Sequence, residues 1–252
     1  MAFRNTYEDA NYAAAYAAME FPGTYALAFR DLPEIIARHV RGQRALDFGC
    51  GAGRSTRFLR RLGFDTVGVD ISPEMIRLAR EADPAGAYRL VVDGGVSAPR
   101  ENVLDLILCA FPFDNIPTVE KKAEILGYLA SRLAEDGRIV NLVSSPEIYI
   151  HEWASFSTKA FPENRAARCG EIVRIINLAV DHLRPTEDIF WPAEAWAETY
   201  QLAGLDVVAT YQPLASLHEP GPWVNETRIP PWTIYVLGKP TAVAPASSRH
   251  GD

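Results

Sequence analysis

The sequence is poor in cysteine. Cys50, Cys109 and Cys169 lie far apart and no C-x-x-C pair occurs, which argues against a disulfide framework and against a thiolate zinc site. Such usage is the pattern of a reducing, cytoplasmic compartment. Long apolar runs are missing too, the longest stopping at about eight residues, well short of a bilayer span. The opening stretch MAFRNTYEDANYAAAYAAME has acids early and no apolar core, so neither a signal peptide nor a membrane anchor is expected. Charge is not concentrated anywhere: 25 Lys and Arg stand against 32 Asp and Glu, for a net charge of −7. An acidic chain without a basic run is a poor fit to a polyphosphate, so no nucleic acid is expected as partner. A small molecule suits this composition better, acting on a monomer or homodimer. No internal repeat divides the 252 residues.

What is present is an ordinary globular composition, 48% hydrophobic and 23% charged, with β-type runs alternating with helical patterns. Residues 44–48, 66–70, 88–92, 104–110 and 138–143 read as strands filled almost continuously with Val, Ile and Leu. Strands of that kind are buried on both faces. Helical patterns at 55–62, 73–82 and 119–134 separate them, which predicts a doubly wound, mostly parallel sheet. A helix at 193–203 and strands at 205–211 and 232–237 would complete it. The segment 146–190 breaks the rhythm, with Pro146, Pro162 and Pro185 between aromatics, and reads as an inserted cap. Its stretch EIVRIINLAVDHL is compatible with either a helix or a strand. The expected organisation is a lid helix and core over 1–145, the cap over 146–190, the last helix and strands of the core over 191–238, and a disordered Ala/Pro/Ser-rich tail over 239–252.

The strongest motif is ALDFGCGAGRST at residues 45–56: a strand ending in an acid, a Gly-x-Gly-x-Gly turn and a helix start. Gly49, Gly51 and Gly53 lack Cβ atoms, so backbone at this turn can come into contact with a ligand. A dinucleotide loop needs its third glycine at position 54, which is Arg54. Asp47 would repel a pyrophosphate and is better suited to an ammonium. In VGVDIS, Asp70 ends the next strand about twenty residues beyond Gly49, where a carboxylate can accept both ribose hydroxyls and Ile71 can pack on a purine. LVVDGG follows, with Asp93 at the end of the third strand.

DFGCGAG, VGVDIS and VVDGG, in this order and spacing, resemble the class I S-adenosylmethionine-dependent methyltransferases. The resemblance covers most of the chain. It implies a Rossmann-like α/β fold of seven strands with the last antiparallel, and S-adenosylmethionine as cofactor. Asp47, Gly49 and Gly51 would meet its methionine half, Asp70 the ribose, and Asp93 with Gly94 the adenine, with Gly53, Ala110 and Phe111 nearby. CAFPFDNIP after the fourth strand departs from the Asp/Asn-Pro-Pro-aromatic pattern of methyltransferases that act on base amines and Gln amides.

The loops at the carboxyl ends of the strands should build the acceptor pocket. Phe113, Tyr149, Trp153, Phe156 and Trp223 are candidates for an aromatic wall, which can stack on an acceptor or stabilise a cation. Asp114, His151 and Glu152 are candidates for orienting an amine or removing its proton. Arg30 is a candidate partner for the methionine carboxylate, a surface ion pair being the alternative. The N-terminal stretch carrying Tyr7, Tyr12, Tyr16 and Tyr25 reads as a helical lid. The expected activity is methyl transfer to a small metabolite, nitrogen slightly ahead of oxygen and carbon. Two other readings stay open: an enzyme using the cofactor for a different reaction, and a cofactor-sensing binding protein.

Overall fold

A computed structural model of the protein describes residues 23–91, 103–179 and 184–240. Two helices, α1 (Thr24–Arg30) and α2 (Leu32–His39), precede β1 (Arg44–Phe48), α3 (Arg54–Arg61), β2 (Asp65–Asp70), α4 (Pro73–Ala82) and β3 (Ala87–Leu90). After β4 (Leu104–Ala110) come a 3₁₀ turn at Pro112–Asn115, α5 (Val119–Ser131) and β5 (Leu133–Ser144). A further 3₁₀ turn at Pro146–Tyr149 leads to β6 (Phe156–Ser157), β7 (Ile172–Asn177) and β8 (Pro185–Ile189). The chain closes with α6 (Ala193–Leu202), β9 (Asp206–Tyr211) and β10 (Trp232–Gly238).

The main sheet has seven strands in the order β3-β2-β1-β4-β5-β10-β9. Its first five strands are mutually parallel, and β10 runs antiparallel to both β5 and β9. Burial explains the order. In the middle of the sheet, β4 (LDLILCA) is buried at all but its last residue, as a strand covered on both faces must be. Leu106 and Leu108 face one core with α1 and α2, while Ile107 and Cys109 face the other with α5 and α6. Each such side chain contributes about 1.5–3 kcal/mol by burial. The chain steps outward from β1 to β3 and returns to β4, so the carboxyl ends of β1 and β4 form the switch point where α/β sheets open a crevice.

The two late strands close the seven-stranded, mostly parallel Rossmann-like sheet that the sequence predicts. Differences lie at the edges of elements. Strand β5 starts at Leu133, several residues before the expected 138, because Leu133 already pairs with Leu104 across a bulge; Glu135, Asp136 and Gly137 disguise that half in the sequence. The ambiguous EIVRIIN stretch is a strand: its burial alternates with period two, and β6-β7-β8 pair as a second, antiparallel sheet. Tyr7, Tyr12 and Tyr16, and the tail from residue 241 on, lie outside the described residues.

Three distant segments meet at Glu226, a fully buried carboxylate. One oxygen accepts from Thr24 Oγ1 and from Ala154 N, both at 2.7 Å; the other accepts from Val224 N at 2.7 Å and Asn225 N at 3.0 Å. Four donors satisfy a charge that would otherwise be costly to bury. The start of α1, the segment before β6 and the loop before β10 are thereby joined.

Candidate functional site

Gly49, Gly51 and Gly53 all have positive φ, 74°, 52° and 79°, the region glycine enters without penalty. A Cβ on Gly49 would stand 2.5 Å from the Pro112 side chain, whereas one on Gly51 would meet nothing nearer than the Met75 sulfur at 4.0 Å. Gly49 therefore permits the β1 turn to lie against the β4 loop, and Gly51 leaves space open. That space is a cavity of about 290 Å³ whose wall includes both glycines, Asp70, Ile71, Ala110 and Phe111. Ile71 is 54% exposed, an apolar side chain uncovered at the cavity mouth. Val69, Val91, Ile116, Pro117 and Ile125 continue the apolar lining.

Asp70 closes one side. Its carboxylate accepts from Gly51 N and Ser72 N, each at 2.8 Å, and burial raises its pKa above the ordinary carboxylate value. Asp47 sits beneath the turn, wholly buried, with Oδ2 accepting from Ser55 Oγ at 2.7 Å and Thr56 Oγ1 at 2.6 Å. Burial outweighs those bonds and pushes its pKa up to about 6. Asp47 Oδ1 has no partner among the described residues, an expensive condition for a buried acceptor. Gly53 caps α3 against Tyr88, whose ring a Cβ would approach within 2.7 Å, and does not line the cavity. Asp93 and Gly94 lie outside the described residues.

A second, smaller cavity of about 50 Å³ shares Phe111 and Asn115 with the first. Asp114, Tyr149, Phe156, Asp188 and Trp232 also line it. Phe111 reaches it through a left-handed backbone, φ 69°, the sole non-glycine residue so placed among those described; this is the kind of conformation that concentrates at functional sites. Asp114 Oδ2 accepts from Ser144 N at 3.1 Å. Asp188 accepts from Asn115 Nδ2 at 2.7 Å and from the Tyr149 hydroxyl at 3.1 Å. Burial raises the pKa of both carboxyls, and their mutual repulsion raises that of Asp188 further. Trp232 anchors the aromatic wall, its ring centroid 4.8 Å from Phe111, 5.6 Å from Tyr25 and 5.8 Å from Phe156.

Other candidates stand apart from both cavities. Phe113 is fully buried beneath the sheet against Phe48 and Trp196. Trp153 is buried with its indole donating to the Ile148 carbonyl. His151 and Glu152 line a separate cleft, where His151 pairs with Glu147 at 3.0 Å and Glu152 accepts from Ser157 and Thr158. Trp223 lines another cleft beside α1. Arg30 is held by Asp31 and Glu219 on the surface, so the ion-pair alternative describes its state.

Sequence reasoning missed Asp188 and Lys122. Asp188 lies in β8, far from any motif. Lys122 is buried in α5, its ammonium donating to the Phe113 carbonyl and lying 4.5 and 4.8 Å from the rings of Trp191 and Trp196. Burial pushes its pKa down to about 8. No residue pattern announces either; Asn115, inside the CAFPFDNIP stretch, had at least a location.

A family model described as a methyltransferase domain matches residues 24–210. An uncharacterized methyltransferase of Alkaliphilus oremlandii is 33% identical over 96 residues, 38% of this chain and 43% of the relative. A ubiquinone biosynthesis O-methyltransferase of Methylococcus capsulatus is 29% identical over 82 residues, 31% of this chain and 35% of the relative. The chain thus aligns with less than half the length of these curated relatives. Among solved structures, the CcbJ methyltransferase from Streptomyces caelestis superposes with a TM-score of 0.66 at 15% identity, covering 94% of this chain and 99% of that one. An S-adenosylmethionine-dependent methyltransferase from Clostridium acetobutylicum gives 0.60 at 12% identity, covering 90% and 94%. At such identities the likeness is one of fold.

Proposed function

The chain belongs to the methyltransferase-domain family, and from that premise we propose that it is a class I S-adenosylmethionine-dependent enzyme that methylates a small-molecule acceptor, nitrogen ahead of oxygen and carbon. The observation that carries this reading is the adjacency of two cavities that share Phe111 and Asn115 in their walls, one apolar beside the glycine turn and one acidic and aromatic beyond it.

The first cavity fits the cofactor on three counts. Beneath the glycine turn and outside the cavity's own lining, the buried Asp47 Oδ1 is an unpartnered acceptor that an ammonium reaching it would satisfy. Gly51 leaves room for a ligand to approach the backbone. Ile71 and the apolar lining from Val91 to Ile125 offer a slab for a purine. Asp47 and the 49–51 turn would hold the methionine half and Asp70 the ribose. When bound, the cofactor supplies a methyl carbon on a sulfonium.

The protein's part is mostly position. Holding both reactants in line contributes roughly 7–11 kcal/mol, more than a general base adds. Phe111 and Trp232 wall the junction and keep water from it, and their faces favour positive charge there. Asp114 lies on the acceptor side as a carboxyl that can orient a hydrogen-bonding nucleophile. His151, Glu152, Phe113, Trp153 and Trp223, which line neither cavity, take no part in this reading.

Calorimetric titration with S-adenosylhomocysteine tests it. Wild-type protein should bind in the micromolar range, and Asp70→Ala should lose about a hundredfold, since two charge-assisted hydrogen bonds disappear. Full affinity in that variant would remove the ribose assignment; no binding by the intact wild type would remove the whole reading.

A further inference from the structure

Asp114 and Asp188 form a buried pair of acids with no cation in direct contact, the Lys122 ammonium acting on both only at longer range. The donors to Asp188 are neutral, Asn115 Nδ2 and the Tyr149 hydroxyl, and Asp114 Oδ2 accepts from the Ser144 backbone N–H. No described cation makes an ion pair with either. Lys122 is the nearest candidate, but its ammonium is turned to the Phe113 carbonyl and the rings of Trp191 and Trp196. The groups facing Asp188 from the elements around it are therefore Asp114, Asn115, Tyr149 and, at longer range, Lys122. Of the remaining wall, Tyr25, Phe111, Phe156 and Trp232 present aromatic rings, beside Ser144, Thr186 and two isoleucines. Carboxylates and π faces both attract cations and both disfavour anions. The space is too small for a whole metabolite but admits the polar end of one, next to the site where methyl transfer is proposed.

We propose that Asp114 and Asp188 receive the ammonium group of a primary or secondary amine and that Asp188 takes its proton, which makes the acceptor an amine and not an alcohol, phenol or carbon acid. This rests on the methyl-transfer reading above. An ammonium is no nucleophile, so an N–H bond must break first, its proton passing to a carboxylate oxygen of Asp188 as an O–H bond forms. The freed lone pair bonds to the methyl carbon while the bond from that carbon to sulfur breaks, the electron pair remaining on sulfur. Positive charge thus moves from sulfur to the methylated nitrogen, where the carboxylates stabilise it. The proton on Asp188 leaves to water when the product departs. A neutral alcohol would leave two carboxylates with only the more distant Lys122 against them, which explains the discrimination.

The test uses the full chain saturated with S-adenosylhomocysteine, titrated at pH 8 in a calorimeter with n-butylamine and, separately, n-butanol. Butylamine should bind at least about tenfold more tightly than butanol, and Asp188→Asn should reduce butylamine affinity by about tenfold or more. Asp114→Asn carries the same expectation and serves if Asp188→Asn does not fold. S-adenosylhomocysteine affinity should stay within about twofold in the folded variant, which separates loss of the ammonium site from general damage. Equal binding of the two probes, or undiminished amine affinity in both folded variants, overturns the inference while leaving the methyl-transfer reading in place. A wild type that fails to bind S-adenosylhomocysteine overturns both.

Discussion

A carboxyl group with no route to water resists ionisation, and Asp47 is such a group. In the unfolded chain it titrates near its ordinary 3.8; in the folded protein burial moves it to about 6. Below both values folded and unfolded chains carry the same proton there, and the group has no effect on stability. As pH rises through that window the unfolded chain ionises first, so stability falls, and the loss stays constant above about 6. Asp47→Asn should flatten this part of the melting temperature against pH in cofactor-free protein. A bound ammonium reverses the preference, so S-adenosylhomocysteine affinity of the wild type should weaken as pH falls through about 6. In Asp47→Asn that dependence should shrink, and an unaltered profile would detach Asp47 from the cofactor. Asp47 and Asp70 were legible because they end strands at fixed places beside a glycine turn. Asp188 was not, because nothing in TEDIF distinguishes it from a solvated acid.

At the scale of elements, the turn from β1 into α3 combines backbone conformation with open space. Gly51→Ala forces a side chain into left-handed backbone at a cost of about 1–2 kcal/mol, and sends its Cβ toward the cavity without striking the protein. Its melting temperature should fall by about 3–6 °C, on the order of 3 °C per kcal/mol for a domain of this size. Its S-adenosylhomocysteine affinity should fall further than that loss of stability accounts for, by about tenfold. A variant that melts lower yet binds normally would show the turn to be merely a tight connection. Gly-x-Gly-x-Gly is readable because few residues tolerate those dihedrals. Strand β7 was not, since a β-branched run fits two periods until a neighbour decides; its partners are β6 before it and β8 after it.

On the scale of the whole molecule, Glu226 links segments that lie about two hundred residues apart in the chain at the extreme. Glu226→Gln exchanges one acceptor oxygen for an NH₂ donor, which then confronts backbone N–H groups. The cost should be about 2–4 kcal/mol, as for other broken buried networks. Thermal melting reads that loss directly. Because Thr24 and Ala154 flank the wall that carries Tyr25 and Phe156, affinity for an acceptor probe should suffer more than affinity for S-adenosylhomocysteine. Equal losses would make Glu226 a general support with no bearing on the second cavity.

The sequence by itself determined the parallel sheet and the glycine turn with its acids, because these follow from local chemistry: buried strands must be apolar along their length, and a turn with positive φ must be glycine. Only the tertiary structure decided which side chains face the second cavity. Phe113 and Trp153 are aromatic like Phe111 and Trp232, yet they are buried in the core, and His151 and Glu152 line a separate cleft. Composition reports what a side chain can do; direction depends on how two sheets, paired from distant residues, lean on one another. The Asp114 and Asp188 pair arises from that packing and from nothing shorter in range.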